Sequence, residues 1–83
     1  MITAILNVRS IRGSGTITFD VITDGSADKK VSTSLEGQEF STIVQGNAKS
    51  LPGSIKHTKR GQHLVTLRAE SSNVTSYPVL LDL

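Results

Sequence analysis

The sequence predicts an all-β domain, folded as an antiparallel sandwich of about seven strands. Apolar and polar residues alternate with a period of two in several segments, most clearly in residues 16–23 and 62–70, as in half-buried strands. Turn signals built on glycine, proline and asparagine recur about every 8 to 12 residues, the spacing expected of a sandwich or barrel. No segment has a helical period of apolar residues. These three observations predict the fold class.

The size and composition of the chain indicate a single small domain, residues 1–83, with a thin aliphatic core. The 83 residues include no cysteine, so neither a disulfide framework nor a thiolate metal site is available. Hydrophobic residues make up 36% of the chain and aromatic residues 4%, so few large side chains can be buried. A domain with so lean a core gains stability by packing on a neighbour, which favours a protein partner or self-assembly.

The charge of the chain gives little support to a nucleic acid or a membrane as its main partner. The net charge is +2 at an isoelectric point of about 9.3, and 19% of the residues are charged. No apolar run approaches the roughly 18 residues that a membrane helix needs. No signal peptide is recognisable at the N-terminus, so we expect a complete small gene product, with an excised domain as the alternative.

The first strand is predicted at residues 2–11 and has apolar side chains on both of its faces. One face carries Ile2, Ala4, Leu6 and Val8, and the other carries Ile5 and Ile11. A change of face within one strand indicates a bulge or a switch between sheets. The second strand, residues 16–23, follows a glycine turn and is expected to direct three apolar side chains inward, those of Ile17, Phe19 and Val21.

A polar loop at residues 26–30 separates the second strand from the third, residues 31–35. A turn at Glu36-Gly37 leads into a fourth strand at residues 40–44, in which Phe40 is expected to be buried.

Pro52 cannot donate a backbone hydrogen bond, so the region around it is predicted to be a loop or an edge strand. A brief strand is predicted at residues 54–58, before the long strand at residues 62–69. That long strand directs His63, Val65, Leu67 and Ala69 to one face.

A turn at residues 71–73 then leads into the last strand, which alternates through Thr75, Tyr77, Val79, Leu81 and Leu83. Tyr77 is therefore expected to be buried.

The segment Gly61-x-His63-x-Val65-x-Leu67-x-Ala69, with its turn and closing strand, resembles bacterial and phage immunoglobulin-like domains. The segment Val31-x-Thr33-x-Leu35-Glu36-Gly37 is similar to a hairpin of that group, and the resemblance covers roughly residues 16–83. Tryptophan and a cysteine pair are absent, which excludes antibody-type domains as close relatives. The resemblance implies an immunoglobulin-like antiparallel β-sandwich of about seven strands and a non-catalytic module for adhesion, spacing or surface decoration.

The residues give no pattern for catalysis, a metal or a cofactor. No serine lies in a strand-to-helix nucleophile elbow, and two histidines without a carboxylate or cysteine at ligand spacing do not form a zinc site. His63 is interpreted as a strand-start residue whose ring bonds a backbone group. We therefore expect a protein that is not an enzyme, with no catalytic, cofactor or metal residues.

A basic cluster is the sharpest candidate for a binding site. Its predicted partner-binding members are Lys56, His57, Lys59, Arg60 and, if it lies at the same end, Arg12. These side chains could contact an acidic protein surface or phosphates, and a solvated loop is the alternative interpretation. No exposed aromatic residue is expected beside them, which argues against single-stranded nucleic acids.

The function that we expect is that of a structural protein on a virion surface, specifically phage capsid decoration through protein–protein interaction with a shell protein. The outer strands could also be covered by a partner or extend a neighbour's sheet. The first alternative is an immunoglobulin-like domain of a bacterial surface adhesin or extracellular enzyme, located at the cell surface. The second alternative is a small nucleic-acid-binding protein that uses the basic cluster.

Overall fold

The computed structural model describes residues 1–25, 29–70 and 72–83, and every element in them is a β-strand or a turn. The described strands are, in chain order, β1 (Ile2–Ile11), β2 (Thr16–Thr23), β3 (Lys30–Leu35), β4 (Gln38–Ile43), β5 (Ser50–Lys56), β6 (Gln62–Val65), β7 (Leu67–Ala69), β8 (Val74–Thr75) and β9 (Val79–Asp82). The prediction of an all-β, antiparallel fold is confirmed. The polar loop predicted at 26–30 and the turn predicted at 71–73 lie partly outside the described residues.

The first sheet has the order β1-β2-β5, and both of its ladders are antiparallel. Strand β2 lies in the middle and buries Ile17, Phe19 and Val21, as its alternation predicts. Strand β5 is an edge strand that begins at Ser50, earlier than predicted, and it tolerates Pro52 because an edge residue need not donate to a second neighbour.

Strand β1 contains two register shifts against β2, one between Ile2 and Ala4 and one between Leu6 and Arg9. The predicted change of face is thus confirmed as bulges, each of which places an extra residue in β1. The predicted phase of Leu6 is wrong, because the first bulge turns Ile5 into the core and leaves Leu6 48% exposed.

The second sheet has the order β4-β3-β7-β8, again with antiparallel ladders throughout. Strands β6 and β9 form a separate two-stranded ladder. Only one residue separates the end of β6 from the start of β7. The β6–β9 ladder therefore continues the β7–β8 hairpin after an interruption. On β6 and β7 the interruption is Thr66, whose carbonyl accepts a hydrogen bond from Thr33 Oγ1 at 2.9 Å.

Side chains from all three sheets form one cluster of buried residues. Its members are Ile2, Ile5, Ile17, Phe19, Val21, Val31, Leu35, Val44, Leu51, Ile55, Val65, Leu67, Ala69, Leu81 and Leu83. Phe19 is the only aromatic member, which agrees with the predicted aliphatic core. Phe40 is half-buried and packs against this cluster.

The expectation for Tyr77 is wrong: its side chain is 90% exposed. Tyr77 and Pro78 lie between β8 and β9, where the regular ladder is interrupted. Together with Leu6 they line a shallow groove between β1 and the segment that leads to β9.

Candidate binding site at the His57 turn

The connection from β5 to β6, residues 57–61, is the His57 turn, and it contains most of the predicted basic cluster. It packs against the β1–β2 turn, where His57 N donates a hydrogen bond to Gly15 O at 3.0 Å. Gly15 has a φ of +72°, and a Cβ there would lie 2.3 Å from His57 O and 2.3 Å from an Arg60 guanidinium nitrogen. Only glycine fits this contact, so the approach of the two turns depends on Gly15.

The imidazole of His57 is buried, with an exposed fraction of 3%. Its ring packs on Phe40 with centroids 4.8 Å apart and planes tilted by 33°. Nδ1 accepts a hydrogen bond from Lys59 N at 3.0 Å, so the neutral ring must carry its proton on Nε2. Within the described residues Nε2 is buried and has no hydrogen-bond partner.

Burial lowers the pKa of His57, and the positive charges of His63, Arg60 and Lys59 lower it further. The folded turn therefore favours the neutral imidazole. His57 is thus a buried residue, although the sequence placed it in a basic loop with Lys56, Lys59 and Arg60.

Lys59 is held by a carboxylate from another part of the chain. Its Nζ lies 2.9 Å from Oε2 of Glu36, which belongs to the β3–β4 turn. The hydrogen bond and charge of Lys59 lower the pKa of Glu36, and the charge of His63 contributes to the same direction. Glu36 Oε1 also lies 3.9 Å from Nδ1 of His63.

The guanidinium of the exposed residue Arg60 binds two carbonyls of the turn. Its Nη1 donates to the carbonyls of His57 at 3.1 Å and of Lys59 at 3.0 Å. The carbonyl of Arg60 in turn accepts a hydrogen bond from Nε2 of His63 at 3.0 Å. The expectation that His63 bonds a backbone group is confirmed.

The two remaining predicted residues lie outside this hydrogen-bonded turn. Lys56 is an exposed residue at the end of β5. Arg12 lies in the β1–β2 turn and pairs with Asp82 of β9, with 3.0 Å between Arg12 Nε and Asp82 Oδ2. The structure thus brings His57, Lys59 and Arg60 into one network, and the charges of Lys59 and Arg12 are balanced by carboxylates.

The exposed apolar side chains form a second candidate surface. Leu64 of β6 and Leu80 of β9 are directly opposite each other in the antiparallel ladder, and each is 64% exposed. Their chain neighbours Val65 and Leu81 are buried, so both leucines point away from the core. In the alternation of residues 62–70, Leu64 is the one apolar residue in phase with Gln62, Thr66 and Arg68.

Two kinds of feature are absent from the described residues. No three or more histidine, aspartate or glutamate residues come together in a group that could hold a metal ion. No helix there is long and apolar enough to cross a membrane.

Comparisons with protein-family models, with curated proteins and with solved structures found no match to this chain. The residues and their geometry are therefore the basis for the functional proposal.

Proposed function

We propose that the chain is an immunoglobulin-like β-sandwich that acts as a non-catalytic binding module, and that it decorates the capsid of a virion. The strand order supports the fold. An immunoglobulin-type sandwich has strands A, B and E in one sheet and C, F and G in the other, and a strand C′ can pair beside C. The sheet β1-β2-β5 corresponds to A, B and E, and the sheet β4-β3-β7-β8 corresponds to C′, C, F and G.

The two-stranded ladder fits the same assignment. Strands β6 and β7 together correspond to F, and strands β8 and β9 together correspond to G, each interrupted once. The count then becomes seven strands, as the resemblance to bacterial and phage immunoglobulin-like domains implies. The single buried cluster supplied by all three sheets is what packing of two such layers requires.

The observation that supports a protein partner most directly is the pair Leu64 and Leu80. Two leucines opposite each other on a solvent-facing ladder, each 64% exposed, form a contiguous apolar surface on a domain with a thin core. Burying apolar area contributes roughly 25 cal/mol per Å². Complete burial of two leucines in a partner could therefore provide a few kcal/mol, the size of a small interface hot spot.

The geometry gives less support to a nucleic acid as the partner. Lys59 and Arg12 each lie within 3.0 Å of a carboxylate, and Arg60 donates to two carbonyls of its own turn. Phosphate binding would have to compete with these contacts. A shell protein that covers Leu64 and Leu80 requires no such exchange.

The first test is mass spectrometry of purified particles, envelope and soluble protein from the organism that makes the chain. Capsid decoration predicts enrichment in the particles at a near-stoichiometric ratio to a shell protein. Recovery in the envelope would instead support the adhesin alternative, and salt-sensitive retention on DNA would support the nucleic-acid alternative.

The second test asks whether the apolar pair makes the contact. The double variant Leu64→Ser/Leu80→Ser should bind purified shells at least about tenfold more weakly, since about 1.4 kcal/mol corresponds to a factor of ten. The matched control Ser54→Ala changes an exposed residue of β5 in the other sheet and should bind like the wild type. Equal binding by both variants would contradict the assignment of this surface.

A further inference from the structure

The buried imidazole of His57 gives the turn that contains it a built-in response to acid. We propose that the His57 turn is a pH-sensitive switch, closed when His57 is neutral and opened when its Nδ1 takes up a proton. This proposal concerns the conformation of the turn and does not depend on the proposed role in capsid decoration.

The first step is the hydrogen bond that closes the turn. Lys59 N donates to His57 Nδ1 at 3.0 Å, which requires a lone pair on that nitrogen. A proton on Nδ1 would set two donors against each other at this distance, so the bond must break. The protonated ring cannot compensate through Nε2, which is already buried without a partner in the described residues.

The second step is the charge that protonation would create. The charges that disfavour an imidazolium are those of His63 on β6 and of Arg60 and Lys59 in its own turn. Glu36, on the β3–β4 turn, is the carboxylate of this cluster, but its hydrogen bond goes to Lys59 and not to His57. A buried imidazolium here would be repelled by these cations and would have no hydrogen-bonded carboxylate among the described residues, so the charged form is stabilised by leaving this site.

The sign of the effect follows from the lowered pKa of His57 in the folded turn. A histidine whose folded pKa is depressed contributes stability above its ordinary pKa of 6.5, and that contribution is lost as the pH falls below this value. Opening releases Arg60 from the His57 carbonyl and brings the charged imidazole of His57 into solvent beside Lys59 and the already exposed Arg60. Acid thus adds the charge of His57 to the cations of Lys59 and Arg60, as in the basic cluster that the sequence predicts.

The test is NMR-detected water exchange of the Lys59 amide at pH 7.5 and pH 5.5, corrected for the intrinsic rate. An exposed imidazole of pKa 6.5 is about tenfold more protonated than neutral at pH 5.5, so the opening constant should rise between the two pH values, with roughly tenfold as the upper limit for a closed turn that keeps its imidazole neutral. The variant His57→Asn keeps an acceptor oxygen near the Nδ1 position and cannot titrate, and its opening constant should not change between the two pH values.

The variant His63→Gln is the matched control. It can still donate to the Arg60 carbonyl but removes one of the charges that lower the pKa of His57, so the opening constant should still rise toward pH 5.5, by no more than in the wild type. The same rise in His57→Asn would overturn the proposal. So would an imidazole of His57 that titrates near pH 6.5 while the Lys59 amide stays protected. If His57→Asn does not fold, the wild-type imidazole titration and the Lys59 amide decide the question together.

Discussion

Gly53 lies directly opposite Phe19 in the β2–β5 ladder, where the only aromatic ring of the buried cluster covers it. A Cβ at Gly53 would lie 2.6 Å from Cε2 and 2.7 Å from Cζ of Phe19, and 3.0 Å from Cγ2 of Val44. Carbon atoms cannot approach so closely, and the ring is only 2% exposed, so it has no free space to enter. The variant Gly53→Ala must therefore displace Phe19 or separate the strands.

The expected cost of Gly53→Ala is about 1–3 kcal/mol, the usual effect of an extra methyl group in a packed core. A domain of this length has a free energy of unfolding of roughly 4–12 kcal/mol, so the loss is a large share of it. The sign of the effect is diagnostic. Replacing glycine by alanine where the backbone accepts it and space exists stabilises a protein by about 0.4–1 kcal/mol.

The assay is urea unfolding of the wild type, Gly53→Ala and the control Ser54→Ala, which changes the next, exposed residue of the same strand. A second pair, Phe19→Leu with and without Gly53→Ala, removes the far edge of the ring. The alanine should cost at least about 0.5 kcal/mol less in the Phe19→Leu background, because residues in contact are energetically coupled. An equal cost in both backgrounds, or a more stable Gly53→Ala protein, would refute the steric argument.

Two further predictions concern a buried hydroxyl and a surface ion pair. The N–H of the buried residue Leu67 donates a hydrogen bond to Ser76 Oγ at 2.9 Å. Ser76→Ala leaves this N–H without an acceptor and should lower the free energy of unfolding by about 1–3 kcal/mol in urea titrations. A loss no larger than that of Ser54→Ala would contradict this prediction. Glu36→Gln should flatten the fall in urea midpoint as the pH drops below about 4.5, because the lowered pKa of Glu36 adds stability only above that range. The variant Lys59→Met, which removes the partner charge, should reduce the fall in urea midpoint over the same pH range. An undiminished fall in either variant would contradict the Glu36–Lys59 ion pair as its cause.

The sequence predicted β2 well because nothing interrupts its alternation. The strand has the predicted bounds, and Ile17, Phe19 and Val21 are all buried as expected. The brief strand predicted at residues 54–58 begins too late, because the pair Pro52-Gly53 is locally typical of a turn, whereas β5 begins at Ser50. In the structure, the absence of a side chain at Gly53 makes room for Phe19. Because Phe19 lies in another strand, the local sequence around Gly53 does not indicate this role.

The candidate site could be predicted only as a set of neighbouring cations. The sequence placed His57 beside Lys56, Lys59 and Arg60, a composition typical of a solvated loop. The burial of His57 depends on Gly15 and Phe40, which lie in other turns and strands. The acidic partner of Lys59 is also distant in sequence, and a glutamate in a glycine turn gives no signal of such a contact.

Lys29 illustrates the same limit outside the site. It falls at the end of a segment that reads as a polar loop, yet its side chain is only 5% exposed. Its Nζ donates a hydrogen bond to the Gly46 carbonyl at 2.5 Å. Long cationic side chains can bury their aliphatic stems when a carbonyl meets the charged end, and that carbonyl comes from a separate loop.

The wrong prediction for Tyr77 has a geometric cause that also explains the exposed surface beside it. Arg68 pairs with Thr75, whereas Val65 pairs with Val79, so between Leu67 and Val65 one residue faces two on the opposite strand. This is a bulge, and Pro78 fits it because proline has no N–H to contribute to a ladder. The extra residue reverses which side chains face the core. Thr75 and Tyr77, which alternate with the same period as Val79 in the sequence, therefore point outward. Tyr77 is exposed for that reason, and the same interruption separates it from the outward-facing Leu80 that follows.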